Sequence, residues 1–427
     1  MTRHAGDTLP DTDRYSLLGH PADLAGHLRE LGPLPIPSVV DHAWRRALVD
    51  TLEASGLSGR GGAAFPAARK LAAAQRDDRV GVIVVNGMEG EPASDKDKVL
   101  LTRAPHLVLD GAQLLAASGE ADRIVVCIPV GRDAVAAAVV SAMAERSAGG
   151  HAHTFEEVVR PPDHFVAGEE SALAQWIDDG RSLPSFRPDK SVRLRIGRRS
   201  ALVHNAETLA HVALIARLGP GAFRAHGMPE EPGTSLVTVT GAVARPGVVE
   251  IERGTPLVDI VARATPTASI AALLVGGYGG TWIGPRHFDT PYASIPLRTI
   301  GASAGVGIIV VLGAPACGLV ETARMARYAA LESSGQCGPC VFGLPALAED
   351  LSRLAKGSPD PPLMTRLSRR LEQINGRGAC RHPDGAVGMV RSALEVFATD
   401  VSAHLRGEPC DHRGRPTQLQ LPVPIEV

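Results

Sequence analysis

Three groups of residues in this chain have the types and spacing for chemistry. The first is GLSGRGGAAFPAARK, Gly56 to Lys70, with glycines at 56, 59, 61 and 62. Glycine admits φ > 0 and lets backbone N–H groups approach a ligand without a Cβ in the way. Pro66 suits a first helical turn and Ala67 to Leu71 favour helix. The loop therefore feeds a helix N-terminus, whose free N–H groups and positive dipole end receive an anion. A surface turn before an ordinary helix accounts for the loop alone equally well, and it matches neither the Walker pattern nor G-x-G-x-x-G after a strand. The second group is Asn86, Gly87, Met88, Glu89, Gly90, Glu91 and Pro92, following the β-branched run Val80 to Asn86. That run reads as a buried strand, and open α/β sheets place ligands at such strand ends. The third is Cys337 and Cys340, a C-x-x-C in SSGQCGPC, with Cys380 in GRGACRHPDG. Thiolates on one loop plus a distant ligand can hold iron–sulfur or zinc at the end of a helical bundle. No thioredoxin-like βαβ unit surrounds the pair. Zinc on Cys337, Cys340, Cys380 and His382 stays open on the residues alone. Cys127 reads as an inert core thiol, and Cys317 and Cys410 as incidental.

The chain that must position these residues has 427 residues, 44% of them hydrophobic, and a net charge of −2. That suits a soluble globular chain of two or three domains and favours neither nucleic acid nor an anionic membrane. The polar first twenty residues lack a secretory core, and no apolar run is long enough for a spanning helix, so no direct membrane insertion is expected. Six cysteines in a chain of this size fit a reducing, cytoplasmic setting rather than a disulfide framework.

In order, residues 1–37 read as a loosely ordered lead-in. Residues 38–228 alternate strand and helix, the pattern of a parallel α/β layer. Helices are expected over Asp41 to Ala54, Leu107 to Ala117, Asp133 to Arg146, Ser171 to Ile177 and Leu209 to Leu218, with strands over Arg123 to Pro129 and Glu156 to Arg160. Glu169 and Glu170 fall at a helix start, where the dipole favours carboxylates, after Gly168. Arg193 to Arg199 is a narrow basic window. Asn205 and Thr208 can cap the next helix. Gly227 to Gly233 marks a boundary. Residues 233–313 hold short strands (Ser235 to Thr240, Val248 to Ile251, Leu273 to Tyr278, Gly307 to Leu312) and show no catalytic group, which suggests a packing role. Residues 317–410 carry four helical stretches, Leu319 to Leu331, Leu344 to Leu354, Met364 to Ile374 and Ala386 to Leu405, which suit a small bundle. Residues 411–427 form a tail.

GLSGRGGAAFP, NGMEGEPASDKD, GEESAL (Gly168 to Leu173) and HNAETL (His204 to Leu209) occur in the order seen in the FMN-binding, NADH-oxidising flavoprotein subunit of respiratory complex I. The resemblance spans roughly residues 40 to 400, and four ordered motifs make it specific. It implies an α/β flavin domain, a β-grasp module of the soluble-ligand-binding type and a C-terminal four-helix bundle. Carried over position by position, Gly59, Gly61, Gly62, Lys70, Asn86, Glu89, Gly168, Glu169, Glu170, Asn205 and Thr208 match the FMN site, with Lys70 placed to neutralise the phosphate. Glu89 and Glu91 are the candidate catalytic carboxylates. Phe65, Glu91 and Arg187 are the candidate contacts to NAD(H), with Phe65 stacking on its adenine end. In the family, three cysteines of one loop and a fourth from a later loop bind a 4Fe–4S cluster. Cys337, Cys340 and Cys380 match three of them, and Ser334 stands at the fourth, so a 4Fe–4S or a 3Fe–4S cluster is implied. The chain departs from the pattern at Met88 (aspartate), His204 (asparagine) and Phe165 (tyrosine). Leu71, Ala72 and Ala73 leave no second stacking aromatic. The NGMEGEP loop also resembles the C subunit of the Rnf ion-translocating complexes.

The resemblance implies an NADH dehydrogenase-like oxidoreductase that passes electrons from NAD(P)H through FMN to the cluster and on to a ferredoxin-like partner protein or subunit. Its setting would be cytoplasmic, or peripheral to a membrane complex. The alternative is a degenerate electron-transfer or assembly subunit that no longer oxidises NADH.

Overall fold

The computed structural model describes residues 15–77, 79–152, 154–187, 194–358, 360, 362–408, 410, 417–422 and 425. Residues 1–14 of the expected lead-in, the Arg193 end of the basic window and part of the expected tail lie outside them. From residue 15 the lead-in is packed rather than loose. Tyr15 and Leu17 are buried, and helix α1 (Leu24–Leu31), capped by Asp23, buries His27 against Asp110.

The first domain continues with α2 (His42–Ser55), α3 (Ala67–Asp77), β1 (Val80–Asn86), α4 (Lys96–Arg103), α5 (Pro105–Gly119), β2 (Arg123–Cys127), α6 (Asp133–Ala148), β3 (Phe155–Val159), α7 (Glu170–Asp179), β4 (Arg195–Ile196), β5 (Arg199–Asn205) and α8 (Ala206–Arg224). Its sheet runs β3-β2-β1-β5-β4; all neighbours are parallel except β4 on β5. The Val80–Asn86 run is the central strand, buried almost throughout as its β-branched composition requires. Two elements were not legible in the sequence. Helix α4 begins within the charged run Asp95 to Lys98, and β5 occupies the end of the basic window, pairing in register with β1 from Val82↔Ala201 to Asn86↔Asn205. The carboxyl ends of β1 and β5 thus lie side by side, and they hold Asn86 and Asn205.

The second sheet, order β7-β6-β10-β8-β9, is formed by β6 (Thr234–Gly241), β7 (Gly247–Glu252), β8 (Ile270–Val275), β9 (Thr281–Ile283) and β10 (Ile308–Gly313), with helices α9 (Leu257–Arg263) and α10 (Ser294–Thr299). Only β6 and β10 pair in parallel. The helical part contains α11 (Gly318–Leu331), α12 (Leu344–Ala355), α13 (Leu363–Ile374), α14 (His382–Val396) and α15 (Ala398–Leu405). The fourth expected stretch is broken at Phe397, whose φ/ψ of −103°/30° leaves the helical region. Residues 418–420 beyond it are held in place. Gln418 accepts from Gly313 N at 2.8 Å, and Arg324 donates to Leu419 O at 3.1 Å. Tyr278 Oη donates to Gln420 O at 2.5 Å. A strap therefore fastens the bundle to the β-grasp sheet.

Candidate functional site

The glycine loop starts where α2 stops at Gly56, left-handed with φ 75°. It closes on itself through Gly59 N–H to Phe65 O (2.9 Å) and Ala67 N–H to Leu57 O (3.0 Å). A Cβ on Gly61 would stand 3.3 Å from the Asn205 Cβ, so the loop lies directly over the end of β5. Arg60 N–H donates to Thr208 Oγ1 at 2.8 Å, pinning the loop to α8. The Arg60 side chain is buried, donating to Ser58 Oγ and Thr234 O, and burial pulls its pKa down to about 10. Nothing in the sequence distinguished Arg60. Phe65 is 53% exposed at the loop's edge, available to a ligand from solvent. Lys70 sits one turn into α3 and donates to Val203 O of β5 at 2.6 Å and to Glu170.

From β1, Asn86 Nδ2 donates to Gly168 O at 2.8 Å while its Oδ1 accepts from Met88 N–H, joining the second and third motifs. Met88 does not face these polar groups. It is buried with Val82, Val84, Val125, Ala167 and Leu173, which is why a methionine fits where the family has an aspartate. Glu89 adopts φ 42°, uncommon for a residue with a side chain. Its carboxylate accepts from Ser94 Oγ (2.6 Å) and from Asp97 N and Lys98 N (both 2.9 Å), so it caps α4. Burial, helped by the charge of Asp97, raises it to about 7. Glu91 is buried against the β-grasp sheet. Its Oε2 accepts from Tyr278 N–H at 3.0 Å, its Oε1 has no hydrogen-bond partner among the described residues, and burial raises it to about 8. A Cβ on Gly277 would lie 2.5 Å from Glu91 Oε2, so glycine is required for that approach. The β-grasp domain thus contributes to the site, beyond a packing role.

Lys96, unremarked in the sequence, is fully buried behind these loops. Its Nζ meets Asp97 Oδ1 (2.8 Å), Glu207 Oε2 (3.0 Å) and Asn205 Oδ1 (3.2 Å). Burial works against its charge, but the two carboxylates outweigh it and hold it above the usual lysine range. Asn205 caps α8 and also donates to Asp97 at 2.6 Å. Glu169 is the N-cap of α7, accepting from Ser171 N and Ala172 N. The structure thus interlocks Gly59, Gly61, Lys70, Asn86, Glu89, Gly168, Glu169, Glu170, Asn205 and Thr208. Arg187 is half-buried at the edge of the described segment.

An FMN phosphate and ring fit what these residues present: side-chain-free backbone over a sheet end and an ammonium at a helix start. His204, on β5, adds an orphaned polar atom. Its Nε2 has no partner among the described residues, and burial, then the charge of Lys70, keeps the ring neutral.

The cysteine loops meet at the other face of the Gly168 turn. Cys337 and Cys340 sulfurs lie 3.7 Å apart, at the start of a π-helical turn over Pro339–Gly343. Burial opposes ionisation of Cys337, but N–H groups of Ala379 and Cys340 outweigh it and lower its pKa, so the Cys380 loop lies alongside. Cys340, bonded by the Ser333 hydroxyl, is pushed up to about 11 by burial and by Cys337. Ser334 is half-buried in the irregular segment just before Cys337. Among the described residues, Cys337, Cys340 and Cys380 do not form a group whose ligand atoms all lie within 4.8 Å, as one ion would require; a multi-iron cluster spans more. His382 Nε2 stands 2.7 Å from Ala329 O. Three thiols on two converging loops fit an iron–sulfur cluster.

Both sites share the Phe165–Glu170 segment. Phe165 N–H donates to Glu332 at 3.0 Å, its ring lies 5.1 Å from that of His382, and Gln336 Nε2 donates to Pro184 O at 3.0 Å. Glu169 is close enough for its charge, after burial, to help raise Cys380.

Comparison with known proteins agrees with this layout. Residues 52–214 match the Nuo51 FMN-binding domain, 236–265 an SLBB domain and 321–404 the NADH-ubiquinone oxidoreductase-F iron–sulfur binding region. The NADH-quinone oxidoreductase F 2 subunit of Rhizobium meliloti is 26% identical over 85% of this chain and 90% of its own. The NADH-quinone oxidoreductase F subunit of Mycobacterium bovis is 28% identical over 87% of both. The NAD+-reducing [NiFe]-hydrogenase in its H2-reduced state superposes with a TM-score of 0.79 at 30% identity over 84% of this chain, which spans 63% of the hydrogenase chain. No described helix is long and apolar enough to cross a membrane. With its three matched regions in the family's order, the chain belongs, as a divergent member, to the family of FMN- and iron–sulfur-binding F subunits of NADH:quinone oxidoreductases.

Proposed function

We propose that this chain is the electron-input subunit of a larger redox assembly, taking a hydride from NADH and delivering single electrons to a partner. FMN supplies the conversion from a two-electron donor to one-electron carriers, which side chains cannot perform. The chain's own residues bind and orient. The Gly59–Gly62 backbone and Lys70 receive the phosphate, Asn86 and Asn205 fix the loops around the ring, and Phe65 offers a stacking face to the dinucleotide. Glu89 and Glu91, both raised by burial, are groups able to hold a proton near neutral pH beside the donor. Cys337, Cys340 and Cys380, with Ser334 beside them, would hold the cluster.

The observation that carries this reading is the shared Phe165–Glu170 segment, which caps the flavin cradle on one side and packs on the cysteine loops on the other. Leu331, Val341 and Phe342, the last 74% exposed, lie beside the cysteines and offer a partner an apolar contact. We assign that surface to a ferredoxin-like carrier, in a cytoplasmic setting. The degenerate-subunit alternative is not favoured, because the departure at Met88 lies in the core and leaves the polar cradle intact. Anaerobic titration of the holoprotein with NADH tests the reading. Flavin bleaching should be accompanied by a reduced-cluster paramagnetic signal. Bleaching with an oxidised cluster breaks the proposed route, and no bleaching removes NADH as donor.

A further inference from the structure

The helical domain carries a second thiol group that the flavin and the cysteine loops do not use. Cys317 caps α11, His404 sits in the last turn of α15, and Cys410 follows in the chain that leaves the bundle. They are 93 residues apart at the extremes, and no spacing motif announces them. Yet the Cys317 and Cys410 sulfurs lie 3.2 Å apart, and both lie with a His404 ring nitrogen within a 4.8 Å group. This is the size of a single-ion site, since two zinc–sulfur bonds of about 2.3 Å span at most ~4.6 Å.

The histidine is prepared as a ligand. His404 is 0% exposed, and its Nδ1 stands 3.0 Å from Leu354 O, an arrangement that puts the proton on Nδ1 and leaves Nε2 with its lone pair. A carbonyl on the far nitrogen is the usual partner of a metal-ligating histidine. Nε2 accepts the Cys410 N–H at 3.0 Å; a metal would take that lone pair in place of the amide hydrogen. Cys317 is 3% exposed and Cys410 half-exposed, so solvent can reach one side of the group.

We propose that Cys317, His404 and Cys410 bind one zinc ion, with solvent completing its shell. Two thiolates and an imidazole select zinc or cuprous copper over hard cations, and each thiol loses its proton to solvent on binding, with no change in oxidation state. The ion would lock Cys410 to the bundle, ahead of the strap at 418–420. Beyond it, Gln418 bonds Gly313 and Gln420 bonds Tyr278. The site is thus structural, tying the bundle to the β-grasp sheet. It is independent of the iron that Cys337, Cys340 and Cys380 would hold.

The test uses the full chain, made and purified anaerobically with zinc and iron in the medium, with both metals counted. We expect about one zinc per chain, an absorption edge showing two sulfurs and one nitrogen, and at least a tenfold loss of zinc in Cys410→Ser and in His404→Gln, with iron unchanged. Cys340→Ala should lose iron and keep zinc, which separates site loss from misfolding. Zinc that persists in Cys410→Ser overturns the proposal. So does a zinc-free wild type, whether its two sulfurs are joined as a disulfide (two mass units lighter), free, or holding cuprous copper.

Discussion

Two thiol groups in the same helical domain are built in opposite ways. Cys337 and Cys340 are three residues apart in one loop and face the Phe165–Glu170 segment of the flavin domain. Cys317 and Cys410 are brought together only by the fold, behind a buried histidine, and face the strap that leads to the β-grasp sheet. Local spacing announces the first group and nothing announces the second. The first group stands on two loops, one of them tied to the flavin domain by Gln336 Nε2 to Pro184 O. The second is framed by α11, α12 and α15, so its geometry precedes any ligand.

The largest expected effect breaks one group and spares the other. Cys340→Ala removes a thiol that is 2% exposed and replaces it with a group unable to ligate. Iron per chain should fall at least tenfold and transfer to any acceptor should stop, while FMN content stays unchanged. Iron lost equally in Cys410→Ser would show that the groups act as one.

Glu91 probes the strap side, because its partner Tyr278 also holds Gln420. Burial raises Glu91 to about 8, against the backbone N–H groups of Tyr278 and Ala93 that favour its charge. The folded chain keeps this proton while the unfolded chain releases it near pH 4.5. Stability is therefore fullest below pH 4.5, falls as pH rises, and levels off above about 8. At about 1.4 kcal/mol per pKa unit the loss is on the order of a few kcal/mol. Glu91→Gln should flatten that decline, raising the thermal midpoint at about pH 8 by a few degrees and leaving it nearly unchanged at about pH 4.5. An unaltered pH profile would mean that Glu91 is ionised in the folded protein.

Lys70 probes the flavin side. A charge-assisted hydrogen bond contributes roughly 1.5–3 kcal/mol, so Lys70→Ala should weaken FMN binding about ten- to a hundredfold. Fluorescence quenching of free FMN measures it. Iron content should stay at the wild-type level, since Lys70 touches Val203 and Glu170 and not the cysteine loops. Unchanged FMN affinity would move the phosphate elsewhere.

Legibility followed range in the chain. The strand Val80–Asn86 was readable because seven consecutive residues, mostly β-branched, leave no helical alternative. The glycine loop and C-x-x-C were readable because their chemistry is local. Strand β5 was hidden because Arg199, at its solvent end, masks the apolar Leu202 and Val203 that follow. Lys96 and Arg60 carry no local signal because their partners, Glu207 and Thr208, lie more than 100 residues away. The resemblance supplied the residues of the cradle. It could not supply the inward turn of Met88 or the β-grasp contact of Glu91, which depend on this chain's own packing.

The smallest expected effect concerns Ser334, at the boundary between what the loop offers and what a cluster needs. Three positions match the family's ligands and the fourth holds a hydroxyl, a harder donor with a high pKa and a poorer match for iron than thiolate. The nearby Ser333 hydroxyl is already bonded to Cys340. The wild type is therefore expected to hold its fourth iron weakly and to settle in air towards a 3Fe–4S form. Ser334→Cys should raise iron per chain by about one and convert the paramagnetic signal of the oxidised protein into one seen only on reduction, as for a 4Fe–4S cluster. FMN affinity and zinc content should not move. A wild type that already shows a complete, air-stable 4Fe–4S signal, unaltered by Ser334→Cys, would show that another group fills the fourth position. It would also show that the first thiol group is as well framed as the second.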